Sequence, residues 1–307
     1  KIAILGATSQ IAKDLIISFS EDSAAHEVTM FSRNPAKVEN QFKVLNKKIG
    51  YPNLVYSDFN HSHKFDVILN FVGVGDPAQA KEMGAKIFEV TEHYDNLALN
   101  YIKTYPACKY IFMSSGAVYG GNFEEPVDQN TPAKTNINNL QPTDWYSVAK
   151  LYAEAKHRAM SGYSIVDVRI FNYFSHTQDM NARFLITDIV RAIKNNEVLK
   201  TSPDNIVRDF ITPPNFYRLI LSILNRSNSN LVIDCYTKAP VDKFGLLAFC
   251  AKKIGLKYKL SDQAGVNATG VKVNYYSLNR TAEQINFIPT YSSIDGVLVE
   301  MKKALTV

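Results

Sequence analysis

Short apolar runs alternate with amphipathic stretches along the first part of the chain. These runs predict strands at 1–6, 27–32, 53–56, 66–72, 109–114 and 164–169, and most segments between them have the apolar spacing of helices. Regular alternation of strand and helix is typical of a parallel, doubly wound sheet. We therefore predict an α/β fold of the Rossmann type.

The alternation becomes irregular after residue 171. The pattern there predicts helices at 182–196, 215–226, 242–254 and 292–305, and short strands near 198–201, 207–212 and 231–235. Asn215 suits the N-cap of the second of these helices. We interpret 1–171 as one large domain and 172–307 as mainly a smaller C-terminal α/β lobe that binds the substrate, with some segments returning to the sheet.

A glycine-containing turn, Gly6 to Ala12, joins the first predicted strand to an amphipathic stretch. A strand, tight turn and helix of this kind place a helix N-terminus against a pyrophosphate, which makes 1–171 a dinucleotide-binding domain. Ser9 and Ala12 stand where the GxxGxxG pattern has its second and third glycines. Ser9 is the larger departure, although its hydroxyl is able to bond a phosphate.

The end of the second predicted strand bears on the choice of cofactor. A carboxylate at this place accepts hydrogen bonds from the ribose of NAD, but the chain has Ser32 and Arg33 here. Ser32 can bond a 2′-phosphate, and Arg33 can pair with it or stack on adenine. The sequence therefore favours NADP, with NAD as the alternative, and Arg33 as a solvated loop residue is the simpler interpretation.

Two polar groups are candidates for the chemistry. Tyr146 and Lys150 are four residues apart on a predicted helix and share one face. A nearby ammonium favours the phenolate, so such a tyrosine can exchange a proton with a carbonyl or alcohol oxygen. Ser115 ends a buried strand, at the sheet edge where such folds bind ligands, and can bond the same oxygen. An ordinary helix surface and a serine that caps a strand remain the simpler interpretations.

Composition limits the classes of function. The chain has 307 residues, 46% hydrophobic residues and a net charge of +5, and its basic residues are dispersed. This charge suits an anionic small molecule, and no basic patch with interleaved aromatics points to nucleic acid. No apolar run is long enough for a membrane span, the chain begins on a strand with no signal peptide, and Cys108, Cys235 and Cys250 have no metal spacing. We expect a cytoplasmic protein with reduced thiols, no bound metal and no membrane partner.

Several separated segments share a resemblance. The segments are Ser114–Gly120 (SSGAVYG), Tyr146–Lys150 (YSVAK), Arg169–Asn172 (RIFN) and Arg208–Ile211 (RDFI), and the tail around Ile285–Pro289 (INFIP) agrees with them. Together they resemble the extended short-chain dehydrogenase/reductase family, the NAD-dependent epimerase/dehydratase group, over most of the chain. The resemblance implies an NAD(P)-dependent enzyme with a Rossmann domain, a small substrate lobe and a homodimer formed by helices near 81–104 and 146–160.

The resemblance also implies roles for individual residues. Tyr146 would be the general acid/base, Lys150 would hold the nicotinamide ribose and lower the pKa of Tyr146, and Ser115 would bond the reacting oxygen. The residues expected to contact the cofactor are Gly6, Thr8, Ser9, Gln10, Ile11, Ser32, Arg33, Asp58, Phe71, Gly73, Tyr146 and Lys150. Those expected to contact the substrate are Ser115, Asn172 and Arg208, the last two at the diphosphate of a nucleotide-linked sugar. An ion pair with Asp209 is the simpler interpretation of Arg208.

One departure from the family pattern, directly after Ser115, narrows the range of reactions that we expect. The dehydratases of this family have Asp-Glu directly after the serine or threonine, and this chain has Gly116 and Ala117, which cannot move a proton. We therefore expect a 4-keto reductase of a nucleotide-linked sugar, which exchanges its cofactor at every turnover. A 4-epimerase with the same residues is the alternative, a reductase of a non-sugar carbonyl is a third enzyme, and a non-catalytic NADP-binding sensor belongs to a different class.

Overall fold

The computed structural model describes residues 1–24, 26–74, 80, 82–121, 123–227, 229–261 and 272–306. The strands are β1 Ile2–Leu5, β2 Val28–Ser32, β3 Asn53–Val55, β4 Val67–Asn70, β5 Lys109–Ser115, β6 Ile165–Ile170, β7 Asn172–Tyr173, β8 Val198–Thr201, β9 Val207–Arg208, β10 Phe210–Ile211, β11 Leu231–Asp234, β12 Val241–Asp242, β13 Lys257–Leu260 and β14 Asn274–Tyr275. The helices are α1 Gln10–Glu21, α2 Pro35–Val44, α3 Lys86–Thr104, α4 Trp145–Ala159, α5 Leu185–Lys194, α6 Pro213–Asn225, α7 Lys243–Ile254 and α8 Ser293–Thr306.

A seven-stranded parallel sheet forms the centre of the molecule, in the order β11-β6-β5-β4-β1-β2-β3. Its apolar residues point alternately to two faces. Ile2 and Ile4 of β1 pack in the cluster that includes α1 and α6, whereas Ala3 and Leu5 pack in the cluster that includes α3. Both faces are covered, which is why the strands appear in the sequence as continuous apolar runs. The predicted fold class is confirmed.

The order of strands reverses beside β1, because β2 and β4 are its two neighbours. Ligands of open α/β sheets bind in the crevice outside the carboxyl ends of the strands at such a switch point. The turn at Gly6, the loop after Asn70 and the end of β5 at Ser115 all lie at this edge.

The C-terminal part of the chain contributes to the sheet and also builds a lobe. β11 pairs in parallel with β6 and becomes an edge strand, whereas β12, β9 and β14 form a small separate sheet. A third apolar cluster, between α5, α7 and α8, includes Phe174, Ile189, Leu247 and Met301. The division at residue 171 stays a prediction.

Helix α6 begins two residues earlier than its sequence pattern suggested. Thr212 is its N-cap and Pro213 its first residue, so the predicted N-cap at Asn215 is wrong. Proline fits the first turn of a helix because its fixed φ suits the helix and its missing N–H is not needed there. Asn215 is buried instead, and its Oδ1 accepts a hydrogen bond from the Thr290 amide at 2.8 Å.

Two further findings concern the environment of the chain. Within the described ranges, no helix is long and apolar enough to cross a membrane. Cys108, Cys235 and Cys250 are free thiols, and all three are buried.

Candidate active site

The predicted catalytic residues meet at the carboxyl edge of the sheet. Ser115 is the last residue of β5, Tyr146 lies in the first turn of α4, and Lys150 follows one turn later. The Ser115 hydroxyl lies close enough to the Tyr146 phenol to lower its pKa. Lys150 Nζ donates to the Met113 carbonyl at 2.8 Å. The parallel sheet and the helix that follows β5 therefore bring the Tyr, Lys and Ser into one site.

Lys150 is held in an apolar position. Its side chain is 3% exposed, and its ammonium lies 4.2 Å from the centroid of the Phe112 ring. Burial lowers its pKa to about 8, because water no longer stabilises the charge. Three carboxylates that oppose this shift are those of Asp95, Asp167 and Glu154.

The expected effect of Lys150 on Tyr146 is not found. Burial raises the pKa of the Tyr146 phenol, and the nearby Ser115 hydroxyl offsets only part of that rise. The physical reason is that Lys150 Nζ bonds the Met113 carbonyl, while the phenol loses its hydration. At neutral pH Tyr146 is therefore protonated, and it is able to give a proton to an oxygen bound beside Ser115.

The glycine turn has the geometry of a dinucleotide cradle. Gly6 has φ +83°, and a β-carbon there would lie 2.8 Å from the Phe71 carbonyl carbon and 2.9 Å from the Val72 amide nitrogen. Only glycine fits this approach of two loops. Ser9 also caps α1, because its Oγ accepts from the Ala12 amide at 3.3 Å.

Gln10 is also engaged within the protein. Its Nε2 donates to Ser175 Oγ at 2.9 Å and to Thr177 Oγ1 at 2.7 Å, which ties the start of α1 to the segment after β7. Ile11 packs against the core, and Thr8 lies half-buried on the turn. Contacts of Thr8, Ser9, Gln10 and Ile11 with a cofactor stay predictions.

The end of β2 has an unsatisfied group that suits a ribose. Ser32 is 1% exposed, and its Oγ has no hydrogen-bond partner in the described part of the chain. Such a buried hydroxyl is costly unless a ligand completes it. Arg33 is exposed beside Tyr56 and Tyr94, and its charge lowers the pKa of both phenols against the larger effect of burial. The cradle at Gly6 and the open hydroxyl at Ser32 fit a bound dinucleotide.

The other two loops of this edge lie where the sequence placed them. Asp58 ends the short 3₁₀ helix Tyr56–Asp58 after β3. Gly73 has φ +149°, and a β-carbon there would lie 3.3 Å from Lys150 Nζ. Phe71 is 6% exposed and packs edge-on against Phe216, which anchors the loop after β4 in the core.

The two residues predicted to contact the diphosphate lie on short strands of the C-terminal part, Asn172 on β7 and Arg208 on β9. Asn172 Nδ2 donates to the Tyr275 carbonyl at 3.1 Å, so its side chain holds β14 in place. Arg208 Nη1 donates to the Val207 carbonyl at 2.8 Å. The suggested ion pair with Asp209 is not formed, because the Asp209 carboxylate accepts from the Thr237 amide at 2.8 Å.

Sequence reasoning missed two residues of this site, Tyr275 and Lys272. The Tyr275 hydroxyl lies 3.5 Å from Ser115 Oγ. Lys272 Nζ lies 4.4 Å from the centroid of the Tyr275 ring, and Arg208 Cζ lies 5.9 Å from the same centroid. No local signal identifies them, because the pairing of β14 with β9 joins segments far apart in the sequence.

The cations Arg208 and Lys272 form a candidate anion site. Burial lowers the pKa of Arg208 to about 10, and burial together with the charge of Arg208 lowers that of Lys272 to about 8. Among the residues that the structure describes, neither forms a salt bridge with a carboxylate. Two partly buried cations without a counter-ion favour the binding of an anion.

Gly116 is required by packing. A β-carbon at this position would lie 2.4 Å from the Phe171 ring, so the ring fills the space that a side chain would need. An acidic residue in the place next to Ser115 is therefore excluded by the core itself. Within the described ranges, no group of three or more His, Cys, Asp or Glu residues is arranged to hold a metal ion.

Solved structures with the same fold are numerous. UDP-glucose 4-epimerase from Thermotoga maritima, solved with UDP-glucose, is 17% identical over 98% of this chain and 97% of its own, with a TM-score of 0.77. UDP-glucuronic acid 4-epimerase from Bacillus cereus, solved with UDP-glucuronic acid and NAD, is 18% identical over 99% and 98%, with a TM-score of 0.75. dTDP-glucose 4,6-dehydratase from Bacillus anthracis, solved with NAD, is 15% identical over 98% and 95%, with a TM-score of 0.73. At these identities the likeness shows the fold.

The sequence itself decides the family. No curated protein matches the chain in a sequence search. The model of the NAD dependent epimerase/dehydratase family matches residues 2–234. This match confirms the resemblance seen in the separate motifs and the prediction that the chain is an enzyme of the short-chain dehydrogenase/reductase type. The chain belongs to the NAD dependent epimerase/dehydratase family.

Proposed function

We propose that the protein is a 4-keto reductase of a nucleotide-linked sugar. The observation that carries the proposal is the meeting of Ser115, Tyr146 and Lys150 at the carboxyl edge of the sheet, where burial raises the pKa of the Tyr146 phenol. A phenol that keeps its proton at neutral pH is suited to protonate a carbonyl oxygen as it becomes an alcohol. Reduction of a ketone needs this direction of proton transfer.

Each residue of the site has a defined task in this proposal. Ser115 and Tyr146 bind the oxygen of the carbonyl, and Tyr146 gives it a proton. Lys150 and Gly73 hold the nicotinamide ribose. When bound, the nicotinamide supplies the hydride. The phenol that transfers the proton is half-buried, which limits the access of water to it.

The cation pair suits the diphosphate of the substrate. Arg208 presents a planar guanidinium that pairs with two phosphate oxygens, and Lys272 adds a point charge beside the same Tyr275 ring. Nucleotide-sugar relatives with this fold were solved with UDP-glucose or UDP-glucuronic acid, which carry such a diphosphate. The proposed substrate is therefore a sugar joined to a nucleoside diphosphate.

NADP(H) is the proposed cofactor, with NAD(H) as the alternative. Ser32 and Arg33 replace the carboxylate that would bind the ribose of NAD and repel a 2′-phosphate. The open hydroxyl of Ser32 and the exposed guanidinium of Arg33 both suit that phosphate. NAD is favoured by the family description and by the relatives that were solved with it.

A 4-epimerase is the second candidate, because two of the solved relatives described above are 4-epimerases. It would use Ser115 and Tyr146 in both the oxidation and the reduction of the sugar, and would regenerate its cofactor in each cycle. A 4,6-dehydratase is disfavoured, since Phe171 leaves no room for an acidic side chain at position 116. A sensor without turnover is a candidate of a different class, and the retained Tyr146 and Lys150 weigh against it.

The decisive experiment measures NADPH absorbance during incubation with UDP- and dTDP-linked 4-keto sugars, and measures epimerisation of UDP-glucose with NAD in parallel. Consumption of NADPH supports the reductase, interconversion without net consumption supports the epimerase, and binding without either supports the sensor. Tyr146→Phe should reduce turnover by about 10²–10⁴-fold and leave the cofactor Kd nearly unchanged. Tyr152→Phe is the matched control, because Tyr152 is an exposed tyrosine of the same helix. Near-normal turnover of Tyr146→Phe would contradict the proposal.

Self-association belongs to the same proposal. The resemblance points to helices α3 and α4 as the surface between two copies, and Tyr152 on α4 is 51% exposed. Analytical ultracentrifugation tests the homodimer, and Tyr152→Glu should shift a dimer that uses this face towards monomer. The cytoplasmic location and the absence of nucleic-acid and membrane partners stay predictions.

A further inference from the structure

Tyr275 is brought to the active site by the C-terminal lobe and is fixed there through its backbone. It pairs with Arg208 in the register of β14 and β9, and its carbonyl accepts from Asn172 Nδ2 at 3.1 Å. These contacts come from two different segments, so the Cα position of Tyr275 is determined from both sides.

The ring of Tyr275 is equally well held. Its centroid lies 4.7 Å from that of Phe123 in an edge-to-face arrangement and 5.2 Å from that of Phe171. Lys272 Nζ lies 4.4 Å from the ring centroid. A ring packed in this way loses little further freedom when its hydroxyl binds a ligand.

The hydroxyl of Tyr275 faces the reaction centre. It lies 3.5 Å from Ser115 Oγ, at the outer limit of a hydrogen bond, and the Tyr146 phenol is close enough to raise its pKa. Burial raises the pKa of Tyr275, so the hydroxyl is neutral at neutral pH and can donate. Because the bond to Ser115 is long, both hydroxyls keep the capacity to bind oxygens of a ligand placed against them.

We propose that Tyr275 is a specificity-determining residue that hydrogen-bonds a second substrate oxygen, on the carbon next to the one that Ser115 and Tyr146 address. For a reaction at C4 of a sugar, the neighbouring carbon with a free hydroxyl is C3. The site then selects sugars that carry a 3-hydroxyl. This inference rests on the proposed function, because it takes Ser115 and Tyr146 as the ligands of the reacting oxygen.

The test compares two ligands that differ by one hydroxyl. Isothermal titration gives the Kd of UDP-glucose and of UDP-3-deoxyglucose, and of the corresponding dTDP pair, for wild type, Tyr275→Phe and Tyr276→Phe. Tyr276 is the matched control, since it is the next residue and its phenol is in the field of Glu125 and Asp209 rather than Ser115. Thermal unfolding confirms that the variants are folded.

We expect wild type and Tyr276→Phe to prefer the 3-hydroxyl ligand by about tenfold, the effect of one well-placed hydrogen bond, and Tyr275→Phe to lose that preference. A preference that survives in Tyr275→Phe, an equal loss for both ligands, or binding of neither pair by wild type would overturn the inference. Turnover distinguishes its failure from that of the proposed function. Activity of wild type with NADPH shows that the proposed function holds even when Tyr275→Phe changes nothing, and a preference lost in Tyr275→Phe supports the inference even when no turnover occurs.

Discussion

The ammonium of Lys150 lies against Gly73, so closely that a β-carbon at Gly73 would be 3.3 Å from Lys150 Nζ. The Met113 carbonyl and the Phe112 ring hold the ammonium from other sides. Lys150 therefore has one position available, and the loop after β4 is shaped to allow it.

Gly73→Ala should disturb both the loop and the lysine. Its φ of +149° is strained for any residue with a β-carbon, and we expect the free energy of unfolding to fall by about 1–3 kcal/mol. Because the methyl group also displaces Lys150 Nζ, the Kd of the cofactor should rise. Chemical denaturation and fluorescence titration with NADPH measure these effects. Gly50→Ala is the control, since nothing lies within 4 Å of its β-carbon position. An unchanged cofactor Kd in Gly73→Ala would show that the contact has no role in binding.

The affinity of the anion site should depend on pH through Lys272. Its pKa is about 8, so the ammonium is charged below that pH and loses its charge as the pH rises through it, while Arg208 remains mostly charged. We expect UDP to bind more weakly at pH 9 than at pH 7. Lys272→Arg should keep its affinity over this range, and Lys272→Gln should bind weakly at both values. Isothermal titration at the two pH values makes the comparison, with Lys252→Gln on exposed α7 surface as the control. Equal pH dependence of wild type and Lys272→Gln would exclude Lys272 from the site.

A buried histidine provides a separate pH effect on stability. His157 is fully buried, with Nδ1 2.6 Å from Asp167 Oδ1 and Nε2 2.8 Å from Asp95 Oδ1. The two carboxylates overcome the cost of burial and raise the pKa of His157 to about 9. The rings of Tyr110 and Phe112 complete its surroundings. Helix α4 is thereby linked to α3 and β6 by an imidazolium.

This network should weaken in alkaline solution. A histidine whose pKa is raised on folding contributes stability that is fully present below about pH 6.5 and is lost as the pH rises through about 9. The free energy of unfolding of wild type should therefore fall between pH 6.5 and 10 by more than that of His157→Gln, by up to a few kcal/mol. Urea denaturation at these pH values measures the difference. If the two proteins lose stability in parallel, His157 is not charged in the folded state.

The cofactor preference should depend on Arg33. Its exposed guanidinium is the cation nearest the open hydroxyl of Ser32 in the sequence, and a 2′-phosphate is the group that distinguishes NADP from NAD. We expect Arg33→Ala to raise the Kd of NADPH by about tenfold or more and to leave that of NADH nearly unchanged. Lys37→Ala, on the exposed start of α2, is the control for general loss of charge. Equal affinity of wild type for NADPH and NADH would contradict the preference.

The sheet was predictable because most of its strands are buried on both faces, so their apolar residues form runs that need no knowledge of the rest of the chain. The Tyr146–Lys150 pair and Ser115 were predictable for a similar reason, since helix period and strand end fix their places. The tasks of Ser9 and Gln10 were not, because a helix cap and bonds to Ser175 and Thr177 depend on how the lobe meets α1.

The pKa of Tyr146 is a second property that the sequence could not predict. Its spacing from Lys150 suggests a lowered pKa, and the balance is set instead by burial and by the bond between Lys150 and Met113. Tyr275 and Lys272 show a third, because a two-residue strand such as β14 has no period to recognise. Long-range pairing decides where such residues lie.

The match to the family model ends at residue 234, the last residue of β11, whereas Tyr275 and Lys272 follow it. The proposed acid Tyr146 thus lies within the matched part of the chain, and the proposed specificity residue Tyr275 lies beyond it. A chimera that exchanges only residues 235–307 with those of another family member should change its sugar preference, while Tyr146, Lys150 and Ser115 stay in place.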